Sequence, residues 1–271
     1  MPTIYRYERG RFELREMPVV KERPLTILIN GREFVTLLCT PVKLEALILG
    51  FLRFEGVIRD LEEVQDLQVY SEDGLAEVRL VQEPHLPKRR IITSGCTGGL
   101  TFSLELKEHR LPDEVEPLNP ERIFPLMHQL FQAASLYRES RGIHAAALGD
   151  REKVLIVAED VGRHNAVDKI QGEALLQGIP TEGKILLSTG RISSEMLRKG
   201  ARMGTPFICS RTSPTALAIE GAKRLGITLI GYIRPDSFNC YTHPEQLDVA
   251  SKAVASAAPS AVQTLPSSLE E

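Results

Sequence analysis

From Ile143 onward the sequence alternates short apolar runs with longer helical patterns, and this alternation constrains the fold more than any other feature. Ile143–Leu148 and Val154–Ala158 read as strands joined by a tight Gly149-Asp150 turn. A helix is predicted from about His164 to Leu176, then a strand over Lys184–Ser188 and a helix over Ser193–Met203. A strand at Pro206–Cys209, a helix at Ser213–Leu225 and a strand at Ile227–Ile233 complete the series. Such a series predicts an α/β fold built on a largely parallel sheet with helices on both faces.

Each of four predicted strands is followed within a few residues by an arginine set among Gly, Ser, Thr or Asp. These are Arg163, Arg191, Arg211 and Arg234. In a parallel sheet the carboxyl ends of the strands share one edge, where ligands of open α/β sheets bind. Helix N-termini add N–H donors there, and the planar guanidinium fork suits phosphate oxygens. Four neighbouring strands would spread the arginines over roughly 15 Å. The expected ligand is an extended polyanion, led by a nucleotide or pyrophosphate. Any one arginine could instead pair with Asp160, Glu195 or Asp236; four in register argue for a shared ligand.

The first part of the chain reads as strands with one helix. Leu25–Asn30 and Glu33–Leu38 flank Asn30-Gly31, a tight-hairpin dipeptide. Thr40-Pro41 reads as the cap and first position of a helix carrying Leu44, Leu47, Ile48, Phe51 and Leu52. Asp66–Tyr70 and Ala76–Val81 suggest a second hairpin. Asn119-Pro120 opens a predicted long helix to about Ser140. The charged, proline-punctuated stretch Lys107–Pro120 is the expected boundary. Residues 1–117 are therefore expected to form a smaller mixed α+β domain, 118–250 an α/β/α domain, and the Ala/Ser/Pro-rich 251–271 a mobile tail.

A formal net charge of −3 argues against a general nucleic-acid-binding field, so any anion site must be local. The start lacks a signal-peptide core and no stretch approaches the roughly 20 apolar residues of a membrane span, so a cytoplasmic location is expected. The four cysteines, at 39, 96, 209 and 240, include no Cys-x-x-Cys pair, which leaves single-thiol chemistry to consider. Cys96 lies in Thr93-Ser94-Gly95-Cys96-Thr97-Gly98-Gly99, after the basic run Lys88-Arg89-Arg90. Nearby positive charge lowers a thiol's pKa, and a glycine-rich loop leaves it accessible. Cys96 is the candidate nucleophile, and core packing is the default for the other three. His164 reads as a helix-start contact to the anion, and His144 as a packed strand-end residue or a minor ligand contact. A zinc deaminase would want His-x-Glu and Pro-Cys-x-x-Cys; here Ala146 follows two after His144, and no metal site is expected.

With these residues in hand, the chain resembles the FdhD family of formate dehydrogenase accessory proteins from about Leu25 to His243. The likeness rests on His144-Ala145-Ala146-Ala147, on Glu159 through Lys169 (Glu-Asp-Val-Gly-Arg-His-Asn-Ala-Val-Asp-Lys), and on Gly190-Arg191-Ile192-Ser193-Ser194-Glu195-Met196. It continues through Ser210-Arg211-Thr212-Ser213-Pro214-Thr215, Thr228–Tyr232 and Cys240-Tyr241-Thr242-His243-Pro244. The resemblance implies a cytidine-deaminase-like α/β/α domain beside the smaller one, and a homodimer. It implies a sulfur carrier that receives sulfur from a cysteine desulfurase as a Cys96 persulfide. The sulfur then passes to the bis-molybdopterin guanine dinucleotide cofactor before that cofactor enters formate dehydrogenase. It further implies cofactor binding at Tyr232, Ile233, Arg234, Pro235, Asp236 and Ser237, a segment containing the last of the four arginines. Many relatives carry Cys-Gly-x-Cys-Gly in the cysteine loop, whereas here Gly99 stands in place of the second cysteine. That departure favours the alternative of a molybdopterin-nucleotide chaperone without sulfur transfer. A third alternative, a nucleotide hydrolase or deaminase on the same fold, lacks a recognisable metal or general base.

Overall fold

The structure, a computed structural model, describes residues 2–83 and 115–248, together with the backbone of 91–92 and 100–101. Cys96 with its glycine-rich loop, the basic run Lys88–Arg90 and the segment 251–271 lie outside the described residues.

The chain opens with the hairpin β1 (Thr3–Glu8) and β2 (Arg11–Glu16), paired antiparallel. A four-stranded sheet follows, built from β3 (Arg23–Ile29), β4 (Arg32–Cys39), β5 (Val64–Tyr70) and β6 (Leu75–Leu80) in the order β4-β3-β6-β5. Asn30 and Gly31 both take positive φ in the β3–β4 turn, as the dipeptide predicts. Helix α1 (Leu44–Glu55) packs its buried Leu47, Ile48, Phe51 and Leu52 into the core of this sheet. Burial of each such side chain contributes about 1.5–3 kcal/mol. Two short strands, β7 (Ile91–Ile92) and β8 (Leu100–Thr101), pair antiparallel.

The helix predicted from Asn119 to Ser140 is divided. A single 3₁₀ turn, Pro120–Arg122, leads into α2 (Ile123–Ala133), and α3 (Ser135–Ser140) follows a break at Ala134. The break has a tertiary cause: the Glu159 carboxylate accepts the backbone N–H groups of Leu136 (3.3 Å) and Tyr137 (2.6 Å), capping α3 from a neighbouring strand.

The second sheet contains β9 (His144–Gly149), β10 (Val154–Asp160), β11 (Ile185–Ser188), β12 (Phe207–Ser210), β13 (Thr228–Gly231) and the short β14 (Asn239–Cys240). Their order is β10-β9-β11-β12-β13-β14. The sheet is mixed rather than largely parallel. Only β11–β12 and β12–β13 pair parallel; β10–β9, β9–β11 and β13–β14 are antiparallel. The cause is that the β9–β10 hairpin turns outward and leaves β9, not β10, against β11. One face of the sheet is covered by α4 (Arg163–Gln177), α5 (Ser194–Arg202) and α6 (Ala216–Leu225), over a core that includes Leu148, Ile170, Leu186 and Leu229. The other is covered by α2, over Ala145, Leu187, Phe207 and Ile230.

Helix α1 also lies directly on α4. A Cβ on Gly50 would sit 1.8 Å from the Asp168 carbonyl oxygen, and one on Gly172 would sit 1.9 Å from that of Ala46. Only glycine at both positions permits so close a crossing. Helix α4 is thereby buried on nearly all sides although its sequence is polar, and several of its buried polar groups are engaged. Lys169 Nζ lies 2.6 Å from Asp160 Oδ2 and donates to the carbonyls of Thr40 (2.9 Å) and Glu159 (3.1 Å). Asp160 also accepts from Thr40 N, Gly162 N and Asn165 Nδ2. Thr40 does not cap α1, which begins four residues later behind Lys43 in a left-handed conformation. Its hydroxyl instead accepts the Val161 N–H at 3.1 Å, so the junction between the two sheets takes the group that local capping would have used.

Candidate functional site

Because β9 runs opposite to its neighbours, the carboxyl ends of β10, β11, β12 and β13 share one edge with the start of β9. Arg163, Arg191, Arg211 and Arg234 all lie at this edge, with His144 of β9 between the first two. The intervening strand lengthens the row to four strand spacings, about 19 Å. Arg191, Arg211 and Arg234 are exposed, whereas Arg163 is buried.

The exposed end is organised by strand-end hydrogen bonds. Ser210 Oγ donates to the Gly190 carbonyl at 2.6 Å and accepts the Thr212 N–H at 3.0 Å, tying the loop after β11 to that after β12. Tyr232, at φ 52, sends its N–H to Thr212, and Ile233 sends its own to Ser210. Arg234 Nη1 donates to the carbonyls of Arg211 and Ile233 at 3.0 Å each, and its guanidinium lies 5.8 Å from the Tyr232 ring centroid. A cavity of about 390 Å³ opens between these loops and α2. It is lined by Phe124, Phe131, Met127 and His128 from α2 and by Arg211, Ile233, Arg234 and Pro235 from the loops. Arg211 stands over the Phe131 ring at 5.3 Å. Aromatic faces beside two guanidinium groups suit a planar base next to phosphate. Within Tyr232–Ser237, Ile233 is the exception in that its side chain is part of the core beneath α2. Asp236 and Ser237 are exposed and bonded to each other at 3.3 Å.

The buried end is different in kind. His164, in the first turn of α4, has its Nε2 3.3 Å from Glu195 Oε2 of α5, but neither atom has a hydrogen bond among the described residues. Burial, followed by the positive charges of Lys199 and Arg163, pushes the His164 pKa down to about 2, so the ring is neutral. Burial, and then Arg163, also lowers the pKa of His144. Behind them Asp168 is paired with Lys199, whose ammonium lies 4.8 Å from the Phe54 ring centroid. Desolvation holds that carboxyl above its usual range, and Lys199 opposes the shift.

Sequence reasoning located the row but not Phe124 and Phe131, which stand seven apart on one side of α2; that spacing was the available signal. It also missed Glu195 as a partner of His164. The run from Glu159 to Lys169 divides between two tasks: Asp160, Asn165 and Lys169 hold the sheets together, and Arg163 and His164 face the edge.

The described thiols are poor nucleophiles. Burial pushes Cys39 up to about 12, raises buried Cys209 further, and raises Cys240, whose Sγ–H donates to the Thr242 carbonyl. Among the described residues no three His, Cys, Asp or Glu side chains converge as metal ligands, and no helix is long and apolar enough to cross a membrane.

Comparison with known proteins agrees with the resemblance. The profile of the FdhD/NarQ family matches residues 20–248. A protein of Bacillus subtilis (strain 168) named sulfur carrier protein FdhD is 40% identical over 250 residues, covering 90% of this chain and 95% of its own. A namesake from Staphylococcus haemolyticus is 38% identical, with 90% and 95% covered. The crystal structure of a putative formate dehydrogenase accessory protein from Desulfotalea psychrophila superposes with a TM-score of 0.76 at 31% identity, covering 91% of this chain and 98% of that one. With strand-end arginines, aromatic cavity and relatives all in view, the chain belongs to the FdhD/NarQ family.

Proposed function

We propose that the protein is a sulfur carrier, as its relatives are named. In this reading the Cys96 thiolate attacks the outer sulfur of a cysteine desulfurase persulfide. A new sulfur–sulfur bond forms at Cys96 as the donor's breaks, and the donor cysteine leaves as thiolate. The outer sulfur then passes to bis-molybdopterin guanine dinucleotide, the substrate held at the strand-end edge, before that cofactor is inserted into formate dehydrogenase. The observation that carries the reading is the edge itself: Arg191, Arg211 and Arg234 exposed along it, with Phe124 and Phe131 in a cavity beside the last two. Arginine forks there suit the pyrophosphate, and the cavity suits the guanine. The raised thiol pKa values of Cys39, Cys209 and Cys240 direct the sulfur chemistry to Cys96. The cytidine-deaminase likeness, the cytoplasmic location and the homodimer belong to the same proposal; fractionation and sedimentation check the last two.

The test is mass spectrometry after incubation with a cysteine desulfurase and cysteine. The expected result is a gain of one sulfur on Cys96, together with loss of formate dehydrogenase maturation in Cys96→Ser. The chaperone reading is favoured by Gly99 in place of a second cysteine. It predicts instead that Cys96→Ser matures the enzyme while Arg234→Ala does not, and that outcome would replace sulfur transfer by cofactor binding alone.

A further inference from the structure

Arg163 has an environment unlike the other three arginines of the row. It is 5% exposed, its Nε is a buried donor without a hydrogen-bond partner, and it forms no ion pair among the described residues. Nearby carboxylates are taken: Asp160 is paired with Lys169, Asp168 with Lys199, and Glu195 faces His164. A guanidinium out of water without a counter-ion is unfavourable, and buried donors are otherwise almost always satisfied. His164 beside it has a buried Nε2 that makes no hydrogen bond and has the Glu195 carboxylate at 3.3 Å. The N-cap of α4 is Gly162, which has no side chain to cap the first turn where both residues sit; its own N–H goes to Asp160 Oδ1. Gly190 packs directly against Arg163 and His144. A Cβ there would come within 2.9 Å of Arg163 Cβ and 3.2 Å of His144 Nδ1.

We propose that Arg163, His144 and His164 form an inner subsite for one compact anion, separate from the Arg211–Arg234 cavity. Resting on the sulfur-carrier reading, its occupant is the anionic sulfur under transfer rather than a nucleotide phosphate. One buried guanidinium beside two neutral imidazoles supplies a single positive charge. That matches a one-atom, soft anion better than a phosphate, whose oxygens call for several charge-assisted bonds. The exposed arginines further along the edge can supply those.

The test uses the full chain labelled with ¹⁵N-arginine, observing the Nε–H resonances while sodium hydrosulfide, inorganic phosphate or GDP is titrated in. The Arg163 resonance is assigned by its disappearance in Arg163→Lys. Hydrosulfide, a sulfur anion without oxygens, is expected to shift it both without GDP and with GDP saturating, while GDP shifts Arg211 and Arg234. Gly190→Ala, whose methyl presses on Arg163 and His144, is expected to weaken the hydrosulfide response about tenfold or more and leave the GDP response in place. Should Arg163→Lys fail to fold, Gly190→Ala carries the test. An Arg163 resonance that no probe moves, or a hydrosulfide response untouched by Gly190→Ala, would overturn the subsite. If GDP or phosphate displaces hydrosulfide from Arg163, the occupant is a phosphate and the sulfur assignment fails. A hydrosulfide response at Arg163 in a protein that binds no GDP leaves the subsite standing and removes the nucleotide site.

Discussion

Replacing Lys169 by methionine separates the architectural from the functional part of the Glu159–Lys169 run. Lys169 is fully buried, with Asp160 as its ion-pair partner and the carbonyls of Thr40 and Glu159 as acceptors. In Lys169→Met the Asp160 carboxylate keeps its bonds from Thr40 N, Gly162 N and Asn165 Nδ2 but loses its cation. Breaking a buried pair from one side costs about 3–5 kcal/mol. Two carbonyls that lose a donor place the expectation in the upper half of that range. Against a typical total of about 5–15 kcal/mol, that loss takes a large share of the stability and should lower the unfolding midpoint markedly. Asp160→Asn/Lys169→Met removes both charges and should cost at least about 2 kcal/mol less than the sum of the single variants. The assay is urea unfolding of all four proteins, with GDP affinity measured on the folded fraction and expected to stay within about twofold, since Lys169 does not face the edge. A loss below about 1 kcal/mol for Lys169→Met, or additivity within about 0.5 kcal/mol, would refute the assignment of this pair as the joint between the sheets.

His164 is held neutral among Arg163, Arg198, Lys199 and His144, with Glu195 alongside, and its folded pKa of about 2 lies below its ordinary value. The unfolded chain therefore binds more protons below about pH 6.5. The stability this provides is present above that pH and lost as pH falls, by about 1.4 kcal/mol per unit; urea titrations at pH 6 and pH 4 should show His164→Gln losing that much less per unit than the parent. Gly172→Val forces a side chain against the Ala46 carbonyl in the helix crossing and should destabilise by about 3 kcal/mol or more; a midpoint shift worth under about 1 kcal/mol would show that the helices can part cheaply. Phe131→Ala removes an aromatic wall of the Arg211–Arg234 cavity and should weaken GDP binding by about five- to a hundredfold in calorimetry, whereas an unchanged affinity would place the base elsewhere.

The elements that local pattern dictates were legible. The alternation after Ile143 locates the strands and helices of the second sheet to within a few residues, because those strands are short, apolar and bounded by polar turns. Strand order was not legible. A hairpin reads the same whichever of its strands meets β11, and that choice placed His144 inside the row of arginines. Thr40-Pro41 has the chemistry of a helix start, yet the Thr40 hydroxyl is drawn into the joint by Val161. The break at Ala134 has no local signal, since the group that caps α3 is Glu159, distant in sequence. At the site, the residue types after the strands announced an anion-binding edge. The burial of Arg163 depends on Gly190 lying over it, a contact that no spacing rule contains.

Helix α1 belongs to two cores at once. It packs into the core of the first sheet, and its Phe54 and the glycine crossing join it to the helices of the second. Neither sheet can therefore melt without stripping cover from the other, and heating should produce one cooperative transition seen alike by every probe. A fragment starting after α1 would expose polar α4 to water and lose the Thr40 and Leu38 backbone groups that Lys169, Asp160 and Asn165 bond, and should express as a loosely ordered chain rather than a free-standing half.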